Sequence, residues 1–265
     1  MDWASGAALV AVGVVCGFIS AVAGGASVIS FPTLQWTGIS SAVIATASNS
    51  VALVPGNAMA AYHDWAKRPP FDGPFIVLLV SAAVWGALGA KLLLVIPEAV
   101  FRLLVPILLG LATAMFAWSS PISAWLREKA NRLVSSLSAG THSEMNPTLL
   151  RTLLYIPVAI YGGFFGAGLG ILVLSVLSIG REDDLRALNV EKNIVNACTT
   201  WATAAVFIWD GAVSWPHVTC MMPGVAIGGV AAGWYAQHVP LQKLRLTVIA
   251  IGCIVTVQYA WRFWI

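Results

Sequence analysis

The sequence predicts an all-α, polytopic membrane protein built as two inverted repeats. Each repeat is a broken or re-entrant helical hairpin plus three transmembrane helices, about 8–10 membrane segments in all. Three observations predict it. The 265 residues are 59% hydrophobic and 9% charged, whereas soluble domains carry about 25% charged residues, and the mean hydropathy is +0.85. Uncharged apolar runs of about 20 residues, the length that crosses a bilayer, recur along the chain. The two halves also repeat an order of glycines, prolines and polar residues, the mark of a duplicated unit. The net charge of +3 is spread over loops between the apolar runs and offers no surface for nucleic acid.

Segment A, Gly6–Thr37, holds no charged residue but contains Gly24-Gly25-Ala26-Ser27-Val28-Ile29-Ser30-Phe31-Pro32. Each glycine costs a helix interior about 1 kcal/mol relative to alanine and a proline about 3. Lipid cannot satisfy the backbone groups such a break releases, so it must be buried in protein or line a cavity. Segment A spans about 46 Å as helix, too short for two crossings of about 30 Å. It reads as one long tilted helix or as a hairpin of two short pieces meeting near the break. The residues before it lack the basic n-region of a cleavable signal peptide, so this first run is expected to be retained.

Segment B is Ser41–Tyr62, segment C Pro74–Ile96 and segment D Phe101–Trp118. The first repeat therefore covers residues 1–118. Residues 119–147 form a polar linker in which Ile122, Trp125, Leu126, Leu133 and Leu137 fall at helical spacing, with Arg127, Lys129 and Arg132 largely off that face. This predicts an amphipathic helix in the cytoplasmic interface. The second repeat, 148–265, comprises A′ (Leu149–Ile179), B′ (Leu188–Trp209), C′ (Pro216–Ala236) and D′ (Leu244–Trp264). A′ carries its own break, Gly162-Gly163-Phe164-Phe165-Gly166-Ala167-Gly168-Leu169-Gly170.

Between the halves, Gly24 matches Gly170, Gly38 Gly180, Asn49 Asn193 and Trp65 Trp209. Pro74, Gly86, Ala90, Pro97 and Arg102 match Pro216, Gly228, Ala232, Pro240 and Arg245. Charge then orients the repeats. The clusters Lys67/Arg68, Arg127/Lys129/Arg132, Arg181/Arg186/Lys192 and Lys243/Arg245 can share the cytoplasm only if A and A′ each begin and end on one side. Each repeat then crosses an odd number of times, so the second is inverted relative to the first.

Polar residues inside lipid-spanning segments mark sites or helix–helix contacts. On B′, Asn189, Asn193, Asn196, Thr200 and Thr203 share one face, with Glu191 and Lys192 at its start. On B, Thr46, Asn49, Ser50 and Asn57 share one face, with Ser48 beside them. Two matched polar stripes next to two broken segments point to a substrate path. Short helices starting near the midplane aim N–H groups and a partial positive charge at it, which suits an anion. Lys91 lies close enough to Pro97 to snorkel to the interface. Proton coupling would fall to Glu191, Asp64, His63 or Asp210 near the interfaces, or to a protonated substrate itself. His63, His142, His217 and His238 all fall at segment ends or in the linker, none deep in a span to activate a serine, and no His, Cys or acid spacing suits a metal. The chain therefore reads as a non-enzyme without cofactor or metal, and Cys16, Cys198, Cys220 and Cys253 as small buried hydrophobes.

Gly17-Phe18-Ile19-Ser20-Ala21-Val22-Ala23-Gly24-Gly25, Pro32, Gly38 and Ala45-Thr46-Ala47-Ser48-Asn49-Ser50, with the echo at Gly162–Gly170, resemble the TauE/SafE family of sulfite and organosulfonate exporters. The likeness covers nearly the whole chain. It departs where the family often has a longer glycine run, where the second copy lacks the proline, and where Ala187-Leu188-Asn189-Val190 replaces Ala-Thr-x-Ser. What the resemblance implies is a secondary carrier, most often an exporter, of small sulfur-containing or carboxylic anions in a bacterial inner membrane. The expected site then takes backbone donors from Gly24, Gly25, Ala26, Ser27, Gly168 and Gly170. Side-chain donors come from Thr46, Ser48, Asn49, Asn193 and Asn196, and a charge from Lys192. The expected partners are a small anion and the lipid bilayer, with a homodimer left open. The alternatives are a carrier or channel for another anion such as a carboxylate and, from another class, an intramembrane enzyme or assembly factor.

Overall fold

The computed structural model describes residues 3–63, 65, 68–118, 128, 132, 147–179, 185–235, 238 and 241–264, and among them every regular element is helical. The first half holds α1 (Trp3–Ala23), α2 (Ser27–Trp36), α3 (Ala42–Ala52), α4 (Val54–His63), α5 (Gly73–Val95) and α6 (Glu98–Ala117). The second holds α7 (Pro147–Phe164), α8 (Leu169–Leu177), α9 (Leu185–Trp209), α10 (Trp215–Tyr235) and α11 (Leu241–Trp264). Five of them, α1, α5, α6, α10 and α11, are long and apolar enough to cross a membrane. On α5 the row Ile76, Val80, Val84, Leu88 and Leu92 is exposed. Its four-residue steps form one outward apolar stripe, of the kind that faces lipid.

Segment A divides unequally rather than into two short pieces. The 21 residues of α1 suffice for a crossing by themselves, while α2 has 10. Both ends of segment A nevertheless lie at one end of α10, because Trp3 shares a surface hollow with Pro216 and the Thr37 carbonyl contacts His217 Nε2 at 3.2 Å. In A′ the two ends are tied directly, Arg151 Nε donating to the Ile179 carbonyl at 2.7 Å. Segment B, expected as one piece, is two helices meeting at Leu53. Pro55 has no N–H to continue α3 and fits the first turn of α4, where none is needed. The linker helix expected over 119–147 lies outside the described residues, apart from Glu128, Arg132 and the first residue of α7.

The long helices pair across the halves. α1 runs alongside α10 in parallel, with Gly13 against Met221 and Gly17 against Val225. α7 runs alongside α5 in parallel: near their starts Arg151 and Thr152 share a hollow with Pro74 and Phe75, and further along Gly163 lies against Gly86 and Ala90. At Gly17, Gly228, Gly89 and Gly163 an added Cβ would fall inside the partner's backbone. Lacking a hydrophobic drive in lipid, such helices associate through close backbone approach at small residues. α6 and α11 form the remaining long pair and are antiparallel, since Arg245 at the start of α11 donates to the Phe116 and Ala117 carbonyls while Trp264 at its end reaches Leu103.

These contacts define two ends of the bundle. At one lie Arg68, Arg151, Lys243 and Arg245. At the other, Lys91 is ion-paired with Asp210 and Arg102 with Glu98. Lys91 thus has a fixed partner where snorkelling was expected. Glu98 also accepts from Ser41 Oγ at 2.7 Å and from the Ala42 N–H at 2.6 Å, so a carboxylate from α6 caps the N-terminus of α3.

Candidate functional site

Both breaks close a long helix in the same way. Gly24 takes a left-handed φ of +73° and its N–H donates to the Ile19 and Ser20 carbonyls, each at 3.0 Å. Gly166 takes the same φ of +73° and its N–H donates to the Tyr161 carbonyl at 3.1 Å. Each is the glycine that ends a helix without a Cβ penalty. In backbone terms the counterpart of Gly24 is therefore Gly166, whereas the order of residues in the two halves matches Gly24 to Gly170. Gly170 has another part: it lies in the first turn of α8, and a Cβ on Gly24 would sit 2.5 Å from its Cα. The two breaks touch.

Beyond each break a short helix starts without a capping side chain, α2 after Ala26 and α8 after Gly168. Part of each first-turn donor set is already used, Val28 and Ile29 N–H donating to the Gly25 and Ala26 carbonyls and Leu169 and Ile171 N–H to those of Gly166 and Gly168, and two positive helix ends converge here. Between them is a cavity of about 40 Å³ lined by Gly24, Ala26, Ser27, Gly166 and Leu169. Its other wall is polar. Ser20 Oγ donates to Asn57 Oδ1 at 2.6 Å, and Asn57 Nδ2 donates to Thr200 Oγ1 at 3.1 Å. Thr200 in turn donates to the Asn196 carbonyl at 2.8 Å. Asn196 lines the cavity too, is 5% exposed, and its Oδ1 has no hydrogen-bond partner. Which amide atom is oxygen is an assignment from the network, but either way one polar atom of a buried carboxamide in the cavity wall has no partner. Leaving a buried polar atom unsatisfied costs about 1–3 kcal/mol.

Of the residues singled out in the sequence, the structure brings Gly24, Ala26, Ser27 and Asn196 to this cavity. Gly25 and Gly168 pack behind it, against the Phe116 ring and the Met115 methyl. Thr46 donates to the Ala42 carbonyl one turn back. Ser48 accepts from the Ser214 N–H at 2.8 Å, binding α3 to the loop before α10. Asn49 is buried with its Oδ1 unpaired, yet it and Asn193 lie off the cavity while Ser50 lines it. Lys192 is buried beyond the lining and Glu191 faces a separate hollow with Arg151 and Asp72. His63 stacks near Trp234, ring centroids 6.4 Å apart, and Asp64 lies outside the described residues. Sequence reasoning placed Asn57, Ser50, Thr200 and Thr203 in the polar stripes without assigning them to the site. It passed over Ser20, which sits one turn before Gly24 and gave a detectable signal only by that spacing.

The match to known proteins decides the family. The family model for the sulfite exporter TauE/SafE matches residues 9–259. The chain belongs to the TauE/SafE family. A protein described as "Probable membrane transporter protein" from Haemophilus influenzae is 27% identical over 223 residues, covering 84% of this chain and 81% of its own length. A Sinorhizobium protein described as "Probable membrane transporter protein ORF9" is 23% identical over 242 residues, covering 90% and 86%. No solved structure gives a significant match. Membership in this family, with five helices long and apolar enough to span a bilayer, makes the TauE/SafE chain a multi-pass membrane transporter.

Proposed function

We propose that the chain is a secondary carrier exporting small sulfur-containing anions, sulfite or an organosulfonate, by alternating access around the cavity where the two breaks meet. The observation that carries this reading is the convergence of two uncapped helix starts and the unpaired carboxamide of Asn196 on one small space. Backbone N–H groups at helix starts bind oxyanions without a full counter-charge. Facing half-helices supply them at midplane depth in carriers of this design. Reciprocal pairing of α1 with α10 and α7 with α5 supports an inverted duplication, the arrangement that lets one half rock against the other. The cationic end of the bundle is cytoplasmic by the positive-inside rule, in a bacterial inner membrane.

A cavity of about 40 Å³ holds water but little more, so substrate entry requires one half to move away from the other. Counterflow tests the reading. Proteoliposomes preloaded with unlabelled sulfite or sulfoacetate should accumulate the labelled anion transiently above its outside concentration, and acetate-loaded vesicles should do so far less. Flux that never overshoots would overturn a carrier in favour of a channel, and equal overshoot with acetate would shift the substrate to carboxylates.

A further inference from the structure

One buried group plays no part in the cavity described above. Lys192 is 2% exposed. Its Nζ donates to Asn189 Oδ1 at 2.7 Å, and among the described residues no carboxylate pairs with it. An ammonium has three donors and no acceptor. Buried with one neutral partner, it has among the described residues no counter-charge of the kind that normally offsets the loss of water. Its neighbour Glu191 does not supply one, because it faces the hollow it shares with Arg151 and Asp72. Successive helical residues point about 100° apart.

The position of Lys192 on α9 gives the charge a use. Asn189, Lys192, Asn196, Thr200 and Thr203 follow one another at steps of three and four, one face of a helix. The last three line the cavity. Lys192 therefore lies one turn, about 6 Å, from Asn196 toward the end of the bundle that carries Arg151, Lys243 and Arg245. Asn189, only partly buried, lies one turn further out. In order along this face stand a half-buried amide, a buried cation and the cavity wall.

We propose that Lys192, with Asn189, is an anion-capture station on the basic-end side of the cavity, where the substrate oxyanion becomes the missing counter-charge before it reaches the helix starts. The station takes a sulfonate or sulfite group by charge, so it discriminates by net charge rather than by shape. This rests on the anion-carrier reading above. It adds a residue that sets affinity from one side of the membrane and a preference for doubly charged substrates.

The test compares the purified wild type with Lys192→Gln and Lys192→Arg, using sulfoacetate (a dianion) and isethionate (a monoanion) at constant ionic strength. Thermal shifts against ligand concentration report affinity, because a ligand that binds only the folded state stabilises it. Lys192→Gln should bind sulfoacetate at least about tenfold more weakly, roughly the loss of one modest charge interaction. It should lose less for isethionate, and without ligand it should melt no lower than wild type, since an uncompensated charge has been removed. Lys192→Arg should retain most of the sulfoacetate affinity. Unchanged sulfoacetate affinity in Lys192→Gln, equal losses for the two anions, or a lower melting temperature with binding intact would each overturn the station in favour of a structural lysine. A wild type that responds to neither anion would overturn the carrier reading itself, and the station with it.

Discussion

Gly24→Ala should abolish transport and lower the stability of the purified protein by about 2–5 kcal/mol. The figure adds the cost of a left-handed alanine, about 1–2 kcal/mol, to that of overpacking a filled interior, about 1–3 kcal/mol. Both apply at this position: φ is +73°, and the new methyl would lie 2.5 Å from Gly170 Cα. To make room, the start of α8 would have to back away from the end of α1, and the two helix starts would no longer face one cavity. Gly166→Ala is the control. It shares the φ of +73°, but its nearest neighbour is the carbonyl of Gly162 in its own preceding turn, at 2.9 Å. That variant should lose only about 1–2 kcal/mol and keep measurable counterflow. Thermal melting and counterflow on both proteins check the pair. Equal loss of transport in the two would mean that the meeting of the breaks is not what matters.

Gly17→Leu should leave little folded protein to purify. A Cβ at Gly17 would lie within the Val225 backbone, so α1 and α10 would have to part along the seam where Gly13, Gly17, Gly224 and Gly228 bring their backbones together. Helices in lipid hold together by this close packing rather than by expulsion of water, so a widened seam loses its dispersion contacts along several turns. Gly163→Leu, on the α5–α7 seam, should do the same, because its Cβ would fall on the Gly86 backbone. Gly73→Ala, with nothing within 4 Å, should be neutral or slightly stabilising, since alanine is the better helix former. Size-exclusion profiles of the detergent-solubilised variants read the outcome. A monodisperse Gly17→Leu at wild-type yield would contradict the seam.

Much of this architecture was legible because lipid punishes irregularity. An apolar run of set length and a Gly-Gly break within it carry the same meaning wherever they stand, so segments C, D, C′ and D′ agree with α5, α6, α10 and α11 to within a few residues. Positive charge, which sorts by side, puts the two ends of A on one side and likewise those of A′, as do the Thr37–His217 and Arg151–Ile179 contacts. The break at Leu53 was missed because Pro55 can end a helix or open one, and only the chain's path decides which. The pairing of Gly24 with Gly166 was hidden for a similar reason. Several glycines crowd the second break, two of them left-handed, and it takes the bond from the Gly166 N–H back to the Tyr161 carbonyl to tell the helix-ending one from Gly168.

The site was less legible than the fold. Ser20, Asn57 and Thr200 come from α1, α4 and α9 and are linked by two hydrogen bonds across 37 and 143 residues of chain. No spacing rule reaches that far. The polar stripes pointed to the right helices but not to which polar residue faces inward, and the break between α3 and α4 turned Asn49 away from the cavity while Asn57 reached it.

The central claim is that a sulfur oxyanion binds where the two broken segments meet. An experimental structure of the protein with sulfoacetate bound tests it most directly. The account predicts the sulfonate oxygens about 3 Å from first-turn N–H groups of both α2 and α8, with the Asn196 carboxamide turned onto them. An anion held elsewhere, with Gly24 still against Gly170 and Asn196 still unpaired, would contradict it.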